Sequence, residues 1–243
     1  MLATDDTAPP IDLLHGCESK PPGSFLRCLD TEDWRALLEA GLRSRGFARD
    51  EPLPIGPDDR NIYIIWDGVV RQDRFPLGEG EHVPTITRFR GRGQLVGEAK
   101  LVTSGSAVLT RCLAETVAIP CRARYFNALL GKWPDIRLAL LRSLEDRNRS
   151  DELVYDMAAR PPLERVSRLL AHLADTVGSP GPRAGSTTIT GPSQKDLAAA
   201  LQLAVSTTEN AIRTLRYHGI IEARYRRFVV HDVDALRHLA AGN

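Results

Sequence analysis

At 243 residues, with 42% hydrophobic and 26% charged side chains, the chain is long enough for two domains with buried cores and has the balance of a soluble globular protein. Its formal net charge of +1 means that any affinity for nucleic acid has to come from local clustering of charge. No apolar run reaches the roughly 18 residues of a membrane span, and no basic-then-apolar leader opens the chain; Cys17, Cys28, Cys112 and Cys121 match neither a disulfide framework nor a CxxC zinc site, so a reduced, cytoplasmic setting without membrane contact is expected.

Residues 1–30, with Pro9, Pro10, Pro21 and Pro22, read as a flexible lead-in. TEDWRALLEAGL predicts a short amphipathic helix with Thr31 as its N-cap and Trp34, Leu37 and Leu38 on the apolar face. Up to Ile119, short β-like runs (NIYIIWDG, VVRQDRF, PTITRFR, AVLTRCLA, TVAIP) alternate with Gly, Pro and Asp, the pattern of a β-roll or jelly roll. ARYFNALLGKW predicts a helix stub ending near Pro134. The longest helical stretch follows, residues 134–160, with Leu141, Leu144, Asn148 and Tyr155 approximating a heptad seam for self-association. A solvated face is the alternative reading of that helix. Pro161 and Pro162 break it, PLERVSRLLAHLADTV resumes with Pro at its start, and GSPGPRAGST reads as a flexible loop.

From Ser193 the pattern is that of a DNA-reading unit. SQKDLAAALQL places Leu197, Ala200 and Leu201 on one helical face. STTENAIRTLRYHG opens with Ser206 and Glu209 at capping-box spacing, runs Ala211, Ile212 and Leu215 along its inner face and stops at Gly219. IIEAR and RFVVHD then form two strands joined through Tyr225, Arg226 and Arg227. Between Ser193 and Arg227, Lys195, Arg213, Arg216, Arg224, Arg226 and Arg227 outnumber Asp196, Glu209 and Glu222. An apolar-backed second helix followed by an arginine-rich hairpin suits entry into a major groove with a grip on phosphate. Ser206, Thr207, Asn210 and Arg213 are the candidates for base edges. Asn210 is suited to adenine and Arg213 to guanine. Ser193, Gln194, Lys195, Arg216, Arg226 and Arg227 are the candidates for phosphate.

This order of β-roll, long helix, proline hinge and winged helix-turn-helix resembles the cyclic-AMP receptor protein / fumarate-nitrate regulator (Crp/Fnr) family of bacterial transcription factors. DRNIYIIWDGVV, LVGEAKL, FNALLGKWPDIRLALLRSL and RVSRLLAHLA carry the resemblance, which runs from about Thr31 to Leu239. It implies an α+β chain: a flexible segment 1–30, a cyclic-nucleotide-binding-type β-roll over 31–133, a dimerisation helix over 134–160 and a winged helix-turn-helix over 161–243. It further implies a homodimer on a roughly palindromic promoter site, with double-stranded DNA and RNA polymerase as partners and no enzymatic activity.

Cyclic-nucleotide sensors of that family use a Gly-Glu pair and a later Arg-Ser/Thr-Ala triplet. Gly97 and Glu98 match the first, but the second reads Gly105-Ser106-Ala107, without the phosphate-pairing arginine; Lys100 and Arg111 are the remaining candidates for that charge. The dimer-helix positions facing the base read Ser150-Asp151-Glu152. A pocket of Gly97, Glu98, Ser106 and Ala107 is therefore expected to exclude cyclic AMP, leaving another small effector or none. Oxygen-sensing relatives hold an iron–sulfur cluster on clustered N-terminal cysteines. Cys17 and Cys28, with His15 nearby, form no such cluster, and no metal or cofactor is expected. The family's usual recognition-helix arginine is replaced by Val205, so its usual target sequence does not transfer. Three alternatives stand beside a DNA-binding regulator: a regulator that has lost DNA contact and holds a protein partner, a redox or effector sensor with another ligand, and a cupin-like metalloenzyme, for which the β region offers only His82.

Overall fold

The computed structural model describes residues 21, 23–30, 32–33, 37, 43–55, 59–75, 84, 86–102, 108–155 and 158–242. Thr31, Trp34, Leu38, His15, Cys17, His82, Gly105, Ser106 and Ala107 lie outside them. The chain divides into two compact units, 1–148 and 149–243.

The first unit is built on two antiparallel four-stranded sheets. Its strands are β1 (Arg45–Phe47), β2 (Pro52–Leu53), β3 (Asn61–Asp67), β4 (Val70–Arg74), β5 (Ile86–Arg90), β6 (Leu95–Val96), β7 (Val108–Cys112) and β8 (Thr116–Arg122). One sheet runs β1-β8-β3-β6 and the other β2-β7-β4-β5. The NIYIIWD run of β3 is apolar at successive positions because both its faces are covered. Ile62 and Ile64 join Phe126, Ile136 and Leu140 of the helices, whereas Tyr63 and Ile65 meet Leu53, Val70 and Cys112 of the other sheet. Gly68, at φ +96°, turns β3 into β4; a Cβ there would lie 2.7 Å from the Glu115 carbonyl oxygen, so the turn requires glycine.

Helix α1 (Ala123–Lys132) leads into α2 (Pro134–Tyr155). The segment expected as a flexible lead-in is part of this unit from residue 23 onward: the Phe25 ring meets Phe126 edge-on at 5.7 Å, and the Phe25 N–H donates to the Gly93 carbonyl. Two aromatic rings buried together outweigh the disorder that the prolines suggested. Of the predicted first helix, Glu32, Asp33 and Leu37 are helical, and Leu37 is fully buried. The predicted heptad seam is corrected. Leu144 packs onto the core of the first unit and Tyr155 is buried against the His172 ring, because both belong to the helix's inward face. The exposed face carries Leu138, Leu141, Glu145, Asn148 and Glu152, spaced alternately by three and four residues.

In the second unit α3 (Pro162–Val177) begins with proline in its first turn, where the missing N–H has no intrahelical partner to lose. The remaining elements are β9 (Ser179–Pro180), β10 (Thr187–Thr190), α4 (Gln194–Leu201), α5 (Val205–Tyr217), β11 (Ile221–Arg224), β12 (Arg227–Val230) and α6 (Val233–Ala241). The sheet order is β11-β12-β10-β9, antiparallel throughout. GSPGPRAGST is thus not a plain flexible loop: it holds β9 and the start of β10, and Ile189 of β10 is fully buried beside Phe228 of β12 in the pairing register. The core of this unit is drawn from Val166, Leu169, Leu170, Leu173, Leu197, Leu201, Ile212, Leu215, Phe228 and Leu236. Its α+β composition and antiparallel sheets agree with the fold read from the sequence.

Candidate nucleic-acid interface

Helix α4 opens with a capping box. The Asp196 N–H donates to Ser193 Oγ, while the Ser193 N–H and hydroxyl donate to Asp196 Oδ2 at 2.8 and 2.6 Å. The Ser193 hydroxyl, predicted to meet phosphate, is therefore committed to the cap, and the Asp196 carboxylate sits against the same helix end. Lys195 is exposed beside it and Gln194 half-buried. The helix closes at Gln202, in the left-handed region at φ 52°, and the chain turns through Leu203 and Ala204 into α5. The Leu201 carbonyl at that turn accepts from Arg165 of α3, a buried guanidinium reaching across the core.

Helix α5 buries Thr208, Ala211, Ile212 and Leu215 and turns Ser206, Glu209, Asn210, Arg213 and Arg216 to the outside, with Thr207 half-buried. Ser206 and Glu209 do not form the predicted capping box. The N-cap is Ala204, so Ser206 lies already within the first turn, and no side-chain cap is found there among the described residues. Glu209 thus stands free of the capping role expected for it. Arg213 Nη1 donates to Asn210 Oδ1 at 3.1 Å. The helix ends at His218, and Gly219 follows at φ +69°.

The wing is a two-residue hairpin. Arg224 pairs with Arg227 across the strands, and Tyr225 and Arg226 form the turn. Arg226 occupies the left-handed region at φ 53°, and its guanidinium lies 5.8 Å from the Tyr225 ring centre. Arg227 and Tyr225 are exposed, and Arg226 is half-buried. Arg224 Nε donates to Glu222 Oε1 at 2.7 Å, and this hydrogen bond and charge hold the Glu222 carboxyl below its usual pKa. One wing charge is thereby neutralised within the protein.

The predicted effector residues lie in the first unit. Gly97 takes φ +80°, and Glu98 opens a short 3-10 turn. Arg147 of α2 donates to Glu98 Oε1 at 2.5 Å and to the Leu95 carbonyl at 3.0 Å, with both charged side chains mostly buried. Of the cations considered as substitutes for the missing arginine, Lys100 is committed elsewhere. Lys100 Nζ donates to the Asp59 carbonyl at 2.6 Å, to Asp59 Oδ2 at 3.3 Å and to the Asn61 carbonyl at 3.1 Å. Arg111 shares the outer face of its sheet with Arg71, opposite the core-facing Cys112. Cys112 and Cys121 are buried, and burial pushes their thiols up to about 11 and about 12. No three potential metal ligands stand together among the described residues.

Sequence reasoning missed Arg147 and Arg165. Each stands at helical spacing with buried residues: Arg147 with Ile136, Leu140 and Ser143, and Arg165 with Leu169 and Leu173. A lone cation within an apolar stripe is the sequence signal of a buried partner.

Fold and helix-turn-helix together define a class, that of winged helix-turn-helix proteins carrying an N-terminal β-roll. Residues 164–239, most of the second unit, match the family model of the Crp-like helix-turn-helix domain. Several solved structures share the fold of the chain. A transcriptional regulator of the CRP/FNR family from Thermus thermophilus is 22% identical, covering 82% of this chain and 98% of its own at a TM-score of 0.61. A protein named for cyclic nucleotide binding, from Ruegeria pomeroyi, is 21% identical over 91% and 95% of the two chains, at 0.66. FixK2 from Bradyrhizobium japonicum is 18% identical over 82% and 96%, at 0.61. No curated protein matches the chain by sequence.

Proposed function

We propose that this protein is a transcription regulator of the Crp/Fnr type that binds duplex DNA as a homodimer, on a roughly palindromic site and without cyclic AMP. The observation that carries the reading is the two-sidedness of α5: Ala211, Ile212 and Leu215 anchor it while Ser206, Asn210, Arg213 and Arg216 stand exposed, with Arg227 exposed on the wing. A helix seated this way presents polar side chains to base edges, and the wing adds phosphate contacts.

Dimerisation is supported by Leu138 and Leu141, two exposed leucines on the outward face of α2. Two-fold pairing of the chain would present two recognition helices to the two halves of a site. Independence from cyclic AMP is supported by Arg147, which already occupies the carboxylate of Glu98. Contact with RNA polymerase follows from the proposed class.

A mobility-shift titration of the full chain on duplex DNA tests the reading. A retarded complex whose affinity falls steeply with salt is expected, and its formation should be unchanged by added cyclic AMP. Absence of any complex with duplex DNA at low salt would reject it.

A further inference from the structure

The sequence suggested that Asn210 and Arg213 read separate bases, with Asn210 suited to adenine. Their geometry makes them a single unit. They stand one turn apart on the outward face of α5, both exposed, and Arg213 Nη1 donates to Asn210 Oδ1 at 3.1 Å. No ion pair joins Arg213 to Glu209, the carboxylate one turn earlier, among the described residues; the guanidinium turns to the amide instead.

A guanidinium carries five N–H donors and no acceptor, so it fixes which way the amide lies: Oδ1 toward Arg213 and Nδ2 outward. The outward edge of the pair then consists of donors only. Guanine presents two acceptors in the major groove, N7 and O6, whereas adenine presents the N7 acceptor beside the N6 amino donor. Bidentate reading of adenine by Asn210 needs Oδ1 to accept from N6. The second lone pair of Oδ1 does not rescue that contact, because it would bring the amino group of adenine against the donors and positive charge of Arg213.

We infer that Asn210 and Arg213 form one donor-only reading unit that selects a single guanine in each half-site, with Arg213 contacting the base and Asn210 positioning it. This inference rests on the reading of the protein as a DNA-binding regulator.

The test is selection of sites from a random duplex library by the full chain, followed by affinity measurements on N210A, R213A and the double variant. Both substituted positions are exposed, and unchanged thermal midpoints will show that the three variants remain folded. The selected half-site is expected to carry a guanine whose replacement by 7-deazaguanine weakens binding on the order of tenfold. N210A and R213A should each cause a loss of that order, and the double variant should be no worse than R213A alone. R213A also releases the Asn210 carbonyl, so repeated selection with that variant should move the preferred base from guanine to adenine. Adenine at that position in the native site, or independent losses that multiply in the double variant, would overturn the unit while leaving the DNA-binding reading intact. Retention of no duplex from the library would instead overturn that reading, and this inference with it.

Discussion

The thiols of Cys112 and Cys121, raised by burial to about 11 and about 12 from an ordinary value of 9.0, tie stability to alkaline pH. In the unfolded chain both ionise near pH 9, so above that pH the unfolded state holds fewer protons than the folded one and stability falls as pH rises. The loss should be about 1.4 kcal/mol per pH unit for each thiol between pH 9 and the folded values. Urea midpoints measured from pH 8 to 10.5 should be flat at first and then decline; a flat profile throughout would contradict the burial. Half-buried Cys28 should alkylate in the native protein while Cys112 and Cys121 react only after unfolding. The Ser167 side chain is fully buried in α3 and its hydroxyl has no partner among the described residues. Ser167→Ala removes an unsatisfied polar group and should raise stability by about 1 kcal/mol in denaturant titration.

Among the elements, α4 depends on the reciprocal bonds of Ser193 and Asp196, and Ser193→Ala should cost about 1 kcal/mol of stability in a thermal or urea titration. Much of this architecture was legible from periodicity. β3, β4, β5, β7 and β8 coincide with the five apolar runs, and α4 and α5 with the two stretches whose leucines and alanines recur at helical spacing. The missed strands β1, β2, β6, β9 and β10 run from two to four residues, too few for a period to register, and are held by their neighbours in the sheet. The site was legible in its chemistry but not in its pairings. Asn210 and Arg213 were found as residues, yet the bond between them is a matter of side-chain direction. The capping box at Ser206 failed because its spacing fits equally well inside a helix whose N-cap is Ala204. Arg147 was invisible beside Glu98 because 49 residues separate the partners.

In the whole molecule, Arg147 of the first unit holds the Glu98 carboxylate, and residues 164–239 of the second unit match the Crp-like helix-turn-helix domain. The proposed pairing of chains would use exposed Leu138 and Leu141 as its apolar surface, so Leu141→Glu should shift sedimentation toward a single chain and weaken DNA binding at least tenfold. In the proposed complex a paired chain lays two copies of α5 into one duplex. Footprinting the full chain on its selected site is the decisive measurement. Two protected half-sites, with centres about 10 base pairs or one helical turn apart, are predicted. A single protected half-site, or uniform protection without a two-fold pattern, would contradict it.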